Sequence, residues 1–126
     1  MRTKEEIEAA ISEEIGRFEQ DYMGRGPKNI QVHLLDDLLL IRLRGVLAPA
    51  EQNLVKSLPD ENGRFLLKQV RSHLVEATRP VMEAMVVKVT GVNVVTMHHD
   101  ICTTTGEEVI LFTLAQSPDF CEAKMK

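Results

Sequence analysis

Residues 62–91 read NGRFLLKQVRSHLVEATRPVMEAMVVKVTG, and their periodicity decides the fold. Leu67, Val70, Leu74, Ala77, Val81, Met85 and Val89 recur at three- and four-residue steps, the repeat of one helical face. Gly91 stands where a C-terminal stop belongs. Arg64, Lys68, Arg71 and Arg79 form a second stripe, so the helix is expected to turn an apolar side to a core and a cationic side elsewhere. Pro80 removes one backbone hydrogen bond inside this stretch and predicts a kink. Unbroken, the helix would be about 44 Å long at ~1.5 Å per residue, against a diameter of roughly 36 Å for a compact domain of this size. It overhangs, bends at Pro80 or lies against a second copy, and a homodimer is the expectation.

A hairpin signal lies on each side. Upstream, Ile30, Val32 and Leu34 alternate, Asp36-Asp37 make a turn, and Leu39, Ile41 and Leu43 alternate again. The expected register pairs 34 with 39, 32 with 41 and 30 with 43 on one apolar face. The other face carries Gln31, His33, Leu35, Leu38, Leu40, Arg42 and Arg44, too apolar near the turn to be simply solvated. Downstream, residues 92–102 and 107–114 read as two strands. Gly106 is expected in the left-handed position of a three-residue loop, pairing Thr103 with Glu107, Ile101 with Val109 and His99 with Leu111.

Pro49 suits the first turn of a short helix with Leu54, Val55 and Leu58 on its buried side, and a break at 59–63 offers Asp60 or Asn62 as the next cap. At the N-terminus, Thr3 and Glu6 form a capping box ahead of Ile7, Ile11, Ile15 and Phe18. That helix is expected to end near Asp21, with Glu5, Glu8, Glu13 and Glu19 on a solvated face. Residues 115–126 read as a polar, poorly ordered tail. The order α-β-β-α-α-β-β predicts one α+β domain, residues 1–126, with a four-stranded antiparallel sheet from two hairpins and helices packed on one side.

With 126 residues and 44% hydrophobic content, the chain suits a single core. A net charge of -4 and 4% aromatic residues argue against nucleic-acid binding by charge or stacking. No apolar run approaches the roughly 20 residues needed to span a bilayer, and a cytoplasmic protein is expected. Cys102 and Cys121 lack metal-type spacing and read as reduced thiols with nothing nearby to lower a pKa. Met82 and Met85 read as core.

Two constellations could carry chemistry. Gly24-Arg25-Gly26-Pro27-Lys28 cannot continue a helix. It sets Arg25 and Lys28 around permissive backbone at Gly24 and Gly26, either as a plain turn or as a nest for a small anion. The cationic stripe of the long helix reads as a solvated face or as pairing with the acidic first helix, or else Arg71 or Arg79 reaches this loop, since a guanidinium donates two parallel hydrogen bonds to a carboxylate, phosphate or bicarbonate. His98 and Asp100 share one strand face, with His99 pointing away. They read as an ordinary polar pair, or as an acid–base pair in a small hydrolase or lyase. No metal site, cofactor or nucleophilic triad is expected.

The stretch Tyr22-Met23-Gly24-Arg25-Gly26-Pro27-Lys28, then Gly45-Val46-Leu47-Ala48-Pro49-Ala50-Glu51, then a helix bearing Arg71 and Arg79, then Thr90-Gly91-Val92, resembles the MpsC-like family, a small bacterial domain of unknown function. The resemblance runs from about residue 4 to residue 114. The family usually has threonine where this chain has Ala48, which here loses a capping side chain. The resemblance implies an accessory soluble component of a Na+-translocating, membrane-potential-generating system, related systems serving inorganic-carbon uptake. It supplies no catalytic residue. The expected function is therefore a non-enzymatic protein that binds a small anion, bicarbonate or phosphate, or a partner of a membrane transport system. A protein-interaction module that docks through the half-apolar hairpin face, with no small-molecule ligand, is the alternative.

Overall fold

Thr3 Oγ1 accepts the amide of Glu6 at 3.1 Å while Glu6 Oε1 accepts the amide of Thr3 at 2.8 Å, so the expected capping box opens the first helix. In the computed structural model, which describes residues 2–24, 26–57 and 62–120, helix α1 runs Lys4–Met23. It ends two residues beyond Asp21, at Gly24 with φ 86°. The order continues β1 (Asn29–Leu35), β2 (Leu38–Arg44), α2 (Pro49–Ser57), α3 (Asn62–Thr90), β3 (Val94–Cys102) and β4 (Glu107–Leu114). This is the α+β arrangement expected, with strand order β1-β2-β4-β3, every pair antiparallel. Arg25, Leu58, Asp60 and Cys121, with the break at 59–61 and the tail beyond 120, lie outside the described residues.

The first hairpin has the expected register, Leu34 opposite Leu39, Val32 opposite Ile41 and Ile30 opposite Leu43. Asp36 makes the tight turn at φ 57°, a left-handed backbone that aspartate tolerates better than most side chains. The second hairpin is one residue out of the expected register. Cys102, not Thr103, faces Glu107, so Ile101 faces Glu108 and His99 faces Ile110. Gly106 does take φ 76°, but its amide bonds the Cys102 carbonyl at 2.8 Å and closes a wider turn. Leu47 packs over Gly106, and the Gly106 carbonyl accepts the Val46 amide at 3.2 Å. The slip exchanges faces, turning Glu108, Ile110, Phe112 and Leu114 inward instead of Val109 and Leu111.

The core lies between the inner sheet face and two helices. Ile7, Ile11, Ile15 and Phe18 of α1 meet Leu67, Val75, Met82, Met85 and Val86 of α3 over Leu39, Ile41, Ile110 and Phe112. Met82 and Met85 are core, as expected. The buried stripe of α3, however, is rotated from the expected one. Arg71 and Val75 point in, while Val70, Leu74 and Val81 stay exposed. The helix continues through Pro80, whose side chain is exposed. Gly91 at φ 73° then ends it, its amide bonding the Val87 carbonyl at 2.7 Å. Gly63 lets α2 and α3 touch, because a Cβ there would lie 2.5 Å from the Leu54 carbonyl oxygen.

Two further expectations are corrected. The acidic face of α1 is not uniformly solvated: Glu19 is buried, and Glu8 Oε2 accepts the Leu34 amide of edge strand β1 at 2.8 Å. Residues 115–120 are not a loose tail. Ala115 donates to the Asn93 carbonyl at 2.8 Å, Pro118 is buried and Phe120 packs against the core. The Ile101 amide, on edge strand β3, donates to the Asp100 carboxylate at 2.9 Å.

Candidate functional site

Arg71 neither reaches the glycine loop nor lies on a solvated face: its side chain is only 3% exposed and sits among carboxylates, one of them Glu19 of the acidic first helix. Its Nη2 lies 2.7 Å from Glu108 Oε1 and 3.8 Å from Glu19 Oε1, and its Nη1 lies 3.9 Å from Glu51 Oε2. Glu108 Oε2 meets His99 Nε2 at 2.5 Å. The other Glu51 oxygen accepts the Ala48 amide at 2.8 Å, the half of a capping box that remains without a side-chain acceptor at 48. Arg71 Nε has no hydrogen-bond partner. The cluster thus joins α1, α2, α3, β3 and β4 through one guanidinium.

Its two buried carboxylates are held in opposite states. Burial, then the nearby Glu108 charge, push Glu19 up from 4.5 to about 7, and Arg71 only partly offsets them. Burial pushes Glu108 up as well, but the His99 hydrogen bond and the Arg71 charge outweigh it and hold this group below its ordinary value. Near neutrality Glu108 is the carboxylate that faces Arg71 as an ion, and Glu19 can hold a proton.

The remaining expected site residues are dispersed. Arg79 Nε bonds Glu83 Oε2 at 2.6 Å, and this hydrogen bond holds the guanidinium above its ordinary value. Asp100 does not pair with His98. The Lys68 ammonium at 3.1 Å, then the Ile101 amide, keep Asp100 below its ordinary value. Gly24 serves as the α1 stop and Gly26 is partly buried. The Lys28 amide bonds the Arg44 carbonyl at 2.8 Å, so it is not a nest donor for an anion.

The Lys28 side chain is another matter. Its stem lies across Gly45, where a Cβ would come within 2.7 Å of Lys28 Cγ. Gly45, at φ 68°, leaves the room that lays this stem along an open cleft of about 630 Å³. Lys28, Lys56 of α2 and Arg64 of α3 line it, together with Leu47, Pro49, Gln52, Val55 and the turn 103–106. Among the described residues its lining has no carboxylate, and neither Arg71 nor Arg79 contributes to it. Of the expected anion-site residues that are described, Lys28 is the one that lines this cleft. Sequence reading missed Lys56 and Arg64 as its companions, since they are distant in the chain and carry no motif. It also missed Glu19, buried from α1, and Glu108 with His99, which the register of the second hairpin brings together.

On the outer rim, the Thr105 hydroxyl and the amides of Thr105 and Thr104 bond Cys102 Sγ and lower its pKa, contrary to the expectation of an unperturbed thiol. Among the described residues, no group of three His, Cys, Asp or Glu side chains is placed to hold a metal ion, and no helix is long and apolar enough to cross a membrane.

Residues 3–116 match the family described as Na+-translocating membrane potential-generating system (MpsC). The chain is also 36% identical over 113 residues to YbcI of Bacillus subtilis (strain 168), an uncharacterized protein, covering 90% of this chain and 89% of that one. No solved structure matches it.

Proposed function

The chain belongs to the MpsC family, and from that footing we propose that it is a non-enzymatic accessory component of a membrane ion-transport system that binds a small oxyanion, bicarbonate or phosphate. The observation that carries this reading is the cleft lined by Lys28, Lys56 and Arg64, with no carboxylate among its described lining residues. An acidic chain of net charge -4 that gathers three cations in one concavity lowers the cost of that arrangement by binding an anion there. Calorimetric titration with bicarbonate and phosphate, on wild type and Lys28→Ala, tests it. Saturable binding of either anion that Lys28→Ala weakens is expected. Heats no larger than dilution for both anions would overturn it.

The proposal includes a homodimer. Its support is the exposed apolar face of α3, where Leu66, Val70, Leu74 and Val81 recur at helical spacing. A second reading, a protein-interaction module without a small ligand, is favoured by the outer sheet face. No described helix covers it, and Leu38, Leu40, Val109 and Leu111 lie there half-buried on adjacent strands. A partner retained after Leu38→Asp with Leu40→Asp would remove that reading.

A further inference from the structure

We propose that the Lys28–Lys56–Arg64 cleft takes a small organic molecule carrying two or more phosphate groups; this rests on the reading of that cleft as an anion site and names its ligand class. Size is the first argument. A cleft of about 630 Å³ far exceeds one phosphate or bicarbonate ion and falls within the range of pockets for whole small molecules, roughly 300–1,000 Å³. A smaller hollow of about 370 Å³ adjoins it, sharing Arg64, Thr103 and Thr104 and adding Lys68.

Charge is the second argument. Arg17, Arg42, Lys68, Arg71, Arg79 and Lys88 each have a carboxylate within 4.0 Å. Among the described residues, Lys28, Lys56 and Arg64 have none, although they share one concavity. They come from three separate elements, the approach to β1, the end of α2 and the first turn of α3. One oxyanion would leave much of this cleft empty, whereas two or more linked phosphates can meet cations from several of these elements. Arg64 offers the two-pronged donor suited to a phosphate, the lysines offer point charges, and Thr103 and Thr104 offer hydroxyls at the shared rim.

The third argument is the apolar wall. Leu47, Pro49 and Val55 line part of the cleft, a surface with nothing to offer inorganic phosphate but suited to an organic skeleton.

The test is calorimetric titration of the full chain with ADP, pyrophosphate, inorganic phosphate and bicarbonate, repeated on Lys28→Ala, Arg64→Ala, Thr104→Glu and, as a control away from the cleft, Arg17→Ala. Far-UV circular dichroism verifies that each variant is folded. ADP is expected to bind at least about tenfold more tightly than inorganic phosphate. The three cleft variants weaken it by a similar factor, and Arg17→Ala leaves it unchanged. Should Lys28→Ala and Arg64→Ala prove unfolded, the exposed Thr104→Glu carries the test alone. ADP binding no tighter than phosphate, with phosphate or bicarbonate still lost in Lys28→Ala, overturns this ligand class and leaves the single-oxyanion reading intact. Binding of none of the four, or binding indifferent to every cleft variant, overturns both.

Discussion

Arg71 Nη2 stands 2.7 Å from Glu108 Oε1, a charge pair from mid-α3 to β4 closed off from water at 3% and 1% exposure. The pair ties the long helix to the sheet at a place where apolar packing alone would not fix its rotation. Replacing Arg71 by Met leaves Glu108 and Glu19 without their cation. We expect a loss of about 3–5 kcal/mol, the usual cost of breaking a buried pair from one side. Urea unfolding followed by circular dichroism measures it, and a loss below about 1 kcal/mol would show that the guanidinium is not needed.

Glu19 makes stability fall as pH rises. Its folded pKa, about 7, lies above the ordinary 4.5, so between these values the folded chain binds more protons than the unfolded one. Its contribution is fully present below pH 4.5 and is lost by the time pH passes 7, a span worth about 3 kcal/mol. Glu19→Gln should remove this slope and gain on wild type as pH rises. Parallel midpoints for the two proteins from pH 5 to pH 8 would contradict the assignment. Glu108, held low, acts in the opposite sense and is common to both proteins.

Gly63→Ala should destabilise the fold by about 1–2 kcal/mol. The methyl group would meet backbone, the Leu54 carbonyl oxygen and Val55 Cα, which cannot rotate away. That clash outweighs the ~1 kcal/mol that alanine gains over glycine inside a helix. A thermal midpoint at or above wild type would mean that α2 shifts without cost.

Val70→Asp should dissociate a dimer formed through the outer face of α3, because Val70 sits in the middle of the exposed stripe. Sedimentation velocity over a concentration series reads the change. We expect a shift toward monomer of at least about tenfold in dissociation constant, since a buried lone carboxylate costs more than ~1.4 kcal/mol. Wild-type chain that sediments as a monomer at every concentration would remove the dimer.

Cys102 should alkylate with a pH midpoint below that of a free thiol, and Thr105→Ala should move the midpoint up, because the Thr105 hydroxyl is the leading cause of the shift. Iodoacetamide rates measured across pH on both proteins decide it. Coincident profiles would show that the hydroxyl does not act on the sulfur.

Much of this architecture was legible from local signals. The capping box at Thr3, the alternation from Ile30 to Leu43 and the glycine stop at 91 each needed only neighbours in the chain, and each appears as read. The second hairpin was not legible in register, because Val109 and Leu111 are as apolar as Ile110 and Phe112. Either face could have been inward, and packing of Leu47 onto Gly106 accompanies the other choice. The same ambiguity hid the charged cluster. A reading that sends every charge to solvent turns α3 so that Val70 and Leu74 face inward. The molecule instead buries Arg71, because Glu19, Glu51 and Glu108 arrive from three other elements to receive it. Of the three cations that line the cleft, Lys28 was singled out in the sequence through its glycine-rich setting. Lys56 and Arg64 join it only once α2 and α3 meet at Gly63, a contact between residues with no shared motif.

The two outer strands end the sheet rather than advertise it. An unpaired strand border is a template on which a foreign strand can grow, by the same ladder that built the sheet. Here the amide of Leu34 on one border is occupied by Glu8, and that of Ile101 on the other by Asp100. An incoming chain would have to displace a negative charge at each side. Copies of this protein are therefore steered away from end-to-end β-sheet growth and toward contacts made by side chains, so a partner selects the molecule by shape and charge instead of by backbone alone.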